Sequence, residues 1–307
     1  LAENTFMKQI HASIITIGDE LLIGQVIDTN SAWMAQELNK CGIAIKHRIA
    51  VGDNWNDIWQ ALDMEQQRSQ IILITGGLGP TADDITKPLL CDYFNSKLVL
   101  NDQVLQHVTY LFEEVFKRPL TDRNRKQAEV PEACTVISNK RGTAPGMWFE
   151  KNERIFVSMP GVPHEMKGMM TDEVIPRLLQ RFQFPTILHR TLLTAGVGES
   201  TLADMIEPWE KNLPLHIRLA YLPNYGMVRL RLSATGSDQQ ATTNAIDEQF
   251  EQLKKLVADV LVTDQDDPLE KVVADLLRSG DRTRAGPTAP AHGLILWRVD
   301  YGPRDGM

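Results

Sequence analysis

Cysteine is scarce in this chain: Cys41, Cys91 and Cys134 are the three cysteines among 307 residues, and they lie far apart. Their spacing matches neither a metal-binding pattern nor a disulfide framework, so we expect small buried side chains in a reducing cytoplasm. Long apolar runs are lacking too. None approaches the roughly 18 residues that a membrane-spanning helix needs, and we expect no membrane partner.

The chain also lacks an excess of positive charge. Its 32 Lys and Arg residues stand against 40 Asp and Glu, which gives a net charge of −8. This balance argues against a broad surface for nucleic acid, and the six scattered tryptophans form no array for base stacking. The sequence contains neither a Gly-x-Ser-x-Gly elbow nor a Gly-Lys-Ser/Thr phosphate loop, so a serine hydrolase and a P-loop nucleotidase have no support.

What the sequence does contain is an alternation of apolar strands and amphipathic helices. The predicted strands cover residues 13–17, 43–51, 71–75 and 154–159, and the predicted helices cover residues 29–40, 54–68 and 85–94. Strands that are apolar on both faces are typical of a mostly parallel sheet with helices on both sides. The sequence therefore predicts a three-layer α/β/α fold, in which ligands bind beyond the carboxyl ends of the strands.

The character of the sequence changes twice further along. We assign residues 8–183 to the α/β domain and residues 184–263, where a hairpin pattern and separate helices appear, to a small α+β domain. Residues 264–307 start with a helical pattern and continue into a tail rich in Gly, Pro and Arg, for which we expect poor packing.

The stretch TGGLGPTADDITKPLL, residues 75–90, follows the third predicted strand. Glycines let backbone amides approach an anion, and a helix start after such a loop favours phosphate. The same letters also fit a capping box, with Thr81 as N-cap and Asp84 at the third helical position. Capping explains one of the two carboxylates, Asp83 and Asp84, at most. Two alternatives therefore stay open for this loop: phosphate or metal chemistry, and helix capping alone.

A second acidic loop, GDELLIGQVIDTN, follows the first strand and carries Asp19, Glu20 and Asp28. Asp28, or a neighbour, has a plain explanation as the cap of the next helix. Two acidic loops at one sheet edge favour a shared divalent-metal site, because hard cations prefer carboxylate oxygens and leave positions open for substrate phosphates.

Two further loops are weaker candidates. Residues 139–146 (NKRGTAPG) offer a Thr hydroxyl and backbone amides to a phosphate or a sugar, or they form only a hairpin turn. In residues 159–166 (MPGVPHEM), Glu165 fits a first-turn carboxylate favoured by the helix dipole, and His164 is a possible ligand or base.

Five stretches in this order resemble the competence/damage-inducible protein A (CinA) family: IGDELLIGQVIDTNSAWMAQEL, TGGLGPTADDIT, NRKQAEVPE, NKRGTAPGMW and MPGVPHEMKGM. The resemblance covers roughly residues 10–265. It implies an N-terminal domain similar to the molybdenum-cofactor biosynthesis (MoCF) fold, which binds molybdopterin, and a KH-like domain after it.

The resemblance also implies an activity, the hydrolysis of ADP-ribose to AMP and ribose 5-phosphate with a divalent metal (Co²⁺ or Mg²⁺) and K⁺, in pyridine-nucleotide recycling. Carried over by position, the expected roles are catalytic for Asp83, Asp84 and Glu20, metal-binding for Asp19 and Asp84, and phosphate-binding for Gly76, Gly77, Gly79, Thr81, Thr143 and Gly146. The alternatives are a molybdopterin-binding protein of cofactor biosynthesis and a non-catalytic nucleotide-binding scaffold.

One departure from the family is clear. The serine–cysteine motif of the family's C-terminal amidase domain does not occur in residues 264–307, so we expect no nicotinamide-mononucleotide amidohydrolase activity and attribute the tail to a frameshift or truncation. The KH-like region has no Gly-x-x-Gly clamp and an acidic first helix, which argues against RNA. We expect that region to serve packing or the formation of a homodimer.

Overall fold

The computed structural model describes residues 10–81, 84–224 and 226–265, together with 271, 274 and 278. The chain divides into two compact units at the junction of Ile187 and Leu188. Asp83, one of the predicted catalytic residues, lies outside the described residues, and so does the tail after residue 278.

The first unit alternates strands and helices as the sequence predicts. Its elements are β1 (His11–Ile17), α1 (Asp19–Leu22), α2 (Thr29–Lys40), β2 (Ala44–Val51), α3 (Trp55–Arg68), β3 (Ile71–Thr75), α4 (Thr86–Tyr93), β4 (Leu98–Leu100), α5 (Asp102–Tyr110), α6 (Asp122–Arg125), β5 (Glu129–Pro131), β6 (Thr135–Ile137), β7 (Gly146–Lys151), β8 (Arg154–Met159), α7 (Pro163–Met169) and α8 (Ile175–Arg181). Short π-helical segments, Leu111–Val115 and Met170–Val174, extend α5 and join α7 to α8.

The main sheet has six strands in the order β2-β1-β3-β8-β7-β6. The first four are parallel to one another. At one end of the sheet, β7 is antiparallel to both of its neighbours, β8 and β6. Alternate residues of the parallel strands point to opposite faces, so Ile14 packs into one hydrophobic core and Ile15 into another. Helices α2, α7 and α8 cover the first core, and α3 and α4 cover the second. The three-layer, mostly parallel α/β fold is confirmed.

The strands at the antiparallel end were not predicted. Strands β6 and β7 form a hairpin around residues 138–145, so the hairpin-turn interpretation of that loop is confirmed. Strands β4 and β5 form a separate two-stranded sheet. Strands β4, β5 and β6 have three residues each, which is too short for a hydrophobic period to stand out in the sequence.

The second unit has its own four-stranded sheet in the order β10-β11-β9-β12. Its elements are β9 (Thr186–Ala195), α9 (Glu199–Glu210), β10 (Ile217–Asn224), β11 (Met227–Gly236), α10 (Gln239–Leu256) and β12 (Leu261–Thr263). Leu202 and Ile206 of α9 pack with Ile246 and Phe250 of α10 in one hydrophobic core. This is the small α+β architecture that the sequence predicts.

Among the helices of the described residues, none is both long and apolar enough to cross a bilayer.

Candidate active site

The carboxyl ends of the four parallel strands open into one cavity of about 420 Å³. Each strand contributes the residues that follow it, and the hairpin loop, α7 and the turn before β5 complete the wall. The lining residues are Ile17, Gly18, Glu20, Asp53, Gly76, Gly77, Leu78, Gly79, Pro80, Asp84, Gln127, Thr143, Ala144, Pro160, Gly161, Val162 and Glu165. The cavity therefore lies where an open parallel sheet is expected to bind its ligand.

Of the nine predicted site residues that the structure describes, six line this cavity and three do not. Those in the wall are Glu20, Gly76, Gly77, Gly79, Asp84 and Thr143. Asp19 and Thr81 are exposed and do not line the cavity, and both make hydrogen bonds that hold the loops. Gly146 is buried in β7, where an added Cβ would lie 2.9 Å from Met169 Sδ and 3.0 Å from Ile137 Cβ. Close packing within the sheet thus explains this glycine without a ligand.

The Asp84 carboxylate organises the glycine loop from within. It accepts hydrogen bonds from the Gly79 N–H at 2.7 Å, the Thr81 N–H at 2.9 Å and the Thr81 hydroxyl at 2.5 Å. Asp84 lies before α4, which begins at Thr86. The capping-box prediction, with Asp84 in the third helical position, is therefore wrong. The reason is Pro88, because its ring and its missing N–H fit the first turn of a helix but not a second turn.

Two glycines of the loop are required by its backbone and its packing. Gly76 and Gly77 have φ values of 112° and 64°, a region that side chains disfavour. A Cβ on Gly77 would lie 2.1 Å from the hydroxyl oxygen of Thr86, and one on Gly76 would lie 2.2 Å from the carbonyl of Ile17. These contacts bring β1, β3 and α4 together beneath the cavity.

Only part of the loop's backbone is free to bind an anion. The Gly76 N–H donates to the Met159 carbonyl at 3.1 Å, and the amides of Gly79 and Thr81 are taken by Asp84. Within the described part of the chain, the amides of Gly77 and Leu78 donate to no protein acceptor. Of the phosphate-binding backbone groups expected from the sequence, Gly77 is therefore the best placed, and Leu78 joins it.

Asp19 links the loops that follow β1 and β2. Its N–H donates to the Asp53 carboxylate at 3.1 Å, and the Asp53 N–H donates to the Asp19 carboxylate at the same distance. This reciprocal pair places Asp53 in the cavity wall. Asp53 was missed in the sequence, although it follows a parallel strand and the rule that singled out the other two loops applies to it equally.

Asp28 serves the structure rather than the cavity wall. Its carboxylate accepts from the Ser31 N–H at 2.9 Å and from the Thr16 hydroxyl at 3.1 Å, which caps α2 as predicted. Arg48 donates to the Ser31 hydroxyl from two guanidinium nitrogens, at 2.8 and 3.0 Å. The capping explanation is confirmed, and it accounts for this carboxylate without a ligand.

Glu165 was expected to be only a favourable charge in the first turn of α7. It is in that turn, but its carboxylate also accepts a hydrogen bond of 2.6 Å from the Asn139 amide. Asn139 donates to the Ala144 carbonyl as well, at 2.9 Å, so the pair fixes the hairpin loop that carries Thr143. His164, the other candidate in this turn, is exposed and does not line the cavity.

The charge of the cavity is one-sided. Glu20, Asp53, Asp84 and Glu165 line it, and among the described lining residues there is no Lys or Arg. A half-buried cation, Lys87 of α4, donates from its ammonium group to the carbonyl of the lining residue Gln127 at 3.1 Å. Burial lowers the pKa of Lys87 to about 8, and the negative charges of Glu129 and Asp84 oppose that shift.

The acidic residues do not form a complete cage for a metal ion. Among the residues that the structure describes, no group of three or more His, Cys, Asp or Glu is close enough to hold one. The Asp84 carboxylate already accepts three hydrogen bonds from the loop, which involve both of its oxygens. Any ion bound here would take only one or two protein carboxylates.

Comparison with known proteins was made for both units. The family model described as "Probable molybdopterin binding domain" matches residues 13–180, and that of the "Damage-inducible protein CinA KH domain" matches residues 189–262. A CinA-like protein of Flavobacterium psychrophilum is 51% identical over 267 residues, which cover 87% of this chain and 64% of the relative. A CinA-like protein of Cytophaga hutchinsonii is 45% identical over 286 residues, covering 93% of this chain and 68% of the relative.

Solved structures were compared as well. A CinA protein of unknown function from Thermoplasma acidophilum has a TM-score of 0.49 and 29% identity, and the match covers 54% of this chain and 96% of that one. A tungsten cofactor synthesizing protein, MoaB of Pyrococcus furiosus, has a TM-score of 0.38 and 20% identity over 57% of this chain and 98% of that one. On the family models and the sequence identities, this chain belongs to the CinA family and begins with a MoCF-like unit.

Proposed function

We propose that the first unit is a metal-dependent nucleotide diphosphate hydrolase that converts ADP-ribose to AMP and ribose 5-phosphate. The observation that carries the proposal is the composition of the cavity wall. Free loop amides stand beside carboxylates that follow all four parallel strands, with no basic side chain among the described lining residues. A diphosphate can enter so negative a cavity only together with a cation.

The phosphate group would lie against Gly77 and Leu78. In the described part of the chain, their N–H groups donate to no acceptor. The positive φ of Gly77 turns the chain sharply at this point. Backbone amides bind a phosphate without adding charge, which leaves the neutralisation of the diphosphate to the cation. Thr143, which also lines the cavity, offers a hydroxyl to the sugar or to the second phosphate.

The donors of the cavity fit an ion of the Mg²⁺ or Co²⁺ type. Mg²⁺ characteristically takes one or two carboxylates and completes its shell with water and substrate phosphates, so a three-residue protein cage is not required. Glu20 is exposed at the cavity wall, and in the described part of the chain no group donates to its carboxylate. Glu20 and Asp84 are the residues that would hold the ion, which would supply charge neutralisation and a more acidic bound water.

The carboxylates would also orient the attacking water. In the hydrolysis, the water oxygen forms a bond to one phosphorus as the bond from that phosphorus to the bridging oxygen breaks, and one proton leaves. The Glu20 carboxylate has two oxygens, so the oxygen that does not hold the ion can accept that proton and pass it to solvent. Asp83 stays a further candidate for this step from its position in the sequence.

A second candidate function follows from the family model. Residues 13–180 match a domain described as a probable molybdopterin binder, and a pterin phosphate would use the same loop amides. The two candidates differ in product. Incubation of the purified chain with ADP-ribose and Co²⁺ or Mg²⁺ should release AMP, whereas a pterin-binding protein should copurify with pterin fluorescence and release none. Absence of AMP with both metals would contradict the hydrolase.

A further inference from the structure

Gln127 is a buried side chain of the cavity wall without an internal partner. It lies in the short turn Lys126–Ala128 between α6 and β5, and it is 5% exposed. Its side-chain oxygen Oε1 accepts no hydrogen bond from the described residues. Among the described residues, two other buried side-chain atoms share this condition, Asn30 Oδ1 and Ser158 Oγ, but neither residue lines the cavity.

The main chain around Gln127 is, by contrast, firmly held. Its carbonyl accepts from the buried ammonium group of Lys87 at 3.1 Å, and the next carbonyl, of Ala128, accepts from the Asn101 N–H at 2.9 Å. The helix that leads into the turn is capped by the Thr121 hydroxyl, which accepts from the Asn124 N–H. The backbone position of Gln127 is therefore fixed, while its terminal amide is not engaged.

Buried polar atoms are nearly always hydrogen-bonded, because an unpaired acceptor loses its water without compensation. An unpaired atom at the wall of a binding cavity is best explained by a ligand that supplies the missing donor. A phosphate cannot do so, since its oxygens only accept. The terminal amide rotates easily, so it can turn either atom toward a ligand.

We propose that Gln127 is a specificity-determining residue that accepts a hydrogen bond from the nucleoside part of the bound diphosphate. The donor is an uncharged N–H or O–H group, either the exocyclic amine of adenine or a ribose hydroxyl. A glutamine amide carries an acceptor and a donor side by side and pairs well with the edge of adenine. This inference rests on the proposed nucleotide-binding function. It assigns to Gln127 the recognition of the nucleoside, which neither the carboxylates nor the glycine loop would contact.

Binding of a methylene-bridged, non-hydrolysable ADP-ribose in the presence of Mg²⁺ tests the inference by calorimetry. Gln127→Met keeps the size of the side chain and removes both polar atoms, so we expect binding about 10-fold weaker than that of the wild type. Gln66→Met is the matched control. That glutamine donates to Asp63 and does not line the cavity, so its replacement should leave binding unchanged.

Two analogues identify the donor. If it is the adenine amine, the analogue with unsubstituted purine in place of adenine should bind the wild type about 10-fold more weakly but lose nothing further in Gln127→Met. If it is a ribose hydroxyl, the corresponding deoxyribose analogue should show that pattern. The inference would be overturned if, with both analogues, the loss of affinity were as large in Gln127→Met as in the wild type.

Unfolding in urea separates this role from a structural one. Gln127→Met should unfold at the same or a higher urea concentration, because it removes an unsatisfied acceptor. A clear drop in stability would show that Gln127 is paired within the protein and would overturn the inference. Equal binding by Gln127→Met and wild type would overturn it too and leave the hydrolase proposal intact. Failure of the wild type itself to bind the analogue would overturn both.

Discussion

The carboxylate of Asp84 accepts two hydrogen bonds from Thr81, one from its backbone N–H at 2.9 Å and one from its hydroxyl at 2.5 Å. With the third bond from Gly79, this carboxylate closes the glycine loop on itself. Asp84 holds the loop and faces the cavity, while the role of Asp83 is still a prediction from the sequence.

Replacing Asp84 by Asn should destabilise the protein. The amide can accept through its oxygen, but its NH₂ group would face a loop N–H that needs an acceptor. Leaving such a donor unpaired costs about 1–2 kcal/mol in the free energy of unfolding. Urea denaturation of Asp84→Asn and wild type measures this difference. Equal free energies would mean that the carboxylate does not organise the loop.

Glu20→Gln should leave the stability of the protein nearly unchanged and should lower its activity. Because the Glu20 carboxylate is exposed and receives no hydrogen bond from the described residues, its neutralisation should change the free energy of unfolding by less than about 0.5 kcal/mol. The release of AMP should nevertheless fall at least about 100-fold, as expected for the loss of a general base or metal ligand.

The exposed Glu113→Gln serves as the control for charge alone, since Glu113 lies away from the cavity wall. It should retain the activity of the wild type. Full activity in Glu20→Gln would remove Glu20 from the site.

Gly77→Ala tests the packing of the loop against α4. Gly77 and Gly24 have similar positive φ values, 64° and 73°, but a Cβ on Gly77 meets the Thr86 hydroxyl while one on Gly24 meets nothing within 4 Å. Both substitutions cost about 1 kcal/mol for the backbone, and Gly77→Ala should lose about 1–3 kcal/mol more through the clash. Thermal unfolding of the pair gives the difference directly, and equal losses would contradict the loop geometry.

The buried ammonium group of Lys87 should make stability depend on pH. Its pKa is lowered from 10.5 to about 8 in the folded protein, so the unfolded chain holds the proton more tightly between these values. Stability from this group therefore rises as pH increases from 8 to 10.5, by up to about 3 kcal/mol.

Comparison with Lys87→Met isolates this contribution from other titrating groups. The free energy of unfolding of the wild type relative to Lys87→Met should rise by about 2–3 kcal/mol between pH 7 and pH 10.5. Urea denaturation of the metal-free proteins at both pH values measures the change. A gap that stays constant with pH would show that the ammonium group is not desolvated.

The sequence predicted the sheet well because hydrophobic runs carry the signal. The strand Ile71–Thr75 and the helix Thr29–Lys40 begin and end where the pattern places them, and Asp28 caps that helix. A buried parallel strand must be apolar on both faces, and a helix needs a cap, so both leave marks in neighbouring residues.

The residues that line the cavity were harder to predict, because their positions depend on contacts between segments that are distant in the sequence. Gln127 reaches the cavity through the position of a turn that a lysine forty residues away helps to fix. Glu165 bonds to Asn139, twenty-six residues earlier in the chain. No periodicity or capping rule relates such pairs. Similarly, the assignment of Asp84 to a helix failed because the letters of a capping box also fit a closed loop.

The most direct test of the account is a crystal structure of the protein with Co²⁺ and methylene-bridged ADP-ribose, in which anomalous scattering locates the metal. We expect one anomalous peak in the cavity, bound by the Glu20 or Asp84 carboxylate and by phosphate oxygens, with the diphosphate against the amides of Gly77 and Leu78. A nucleotide bound elsewhere, or a peak that touches neither carboxylate, would contradict the proposed site.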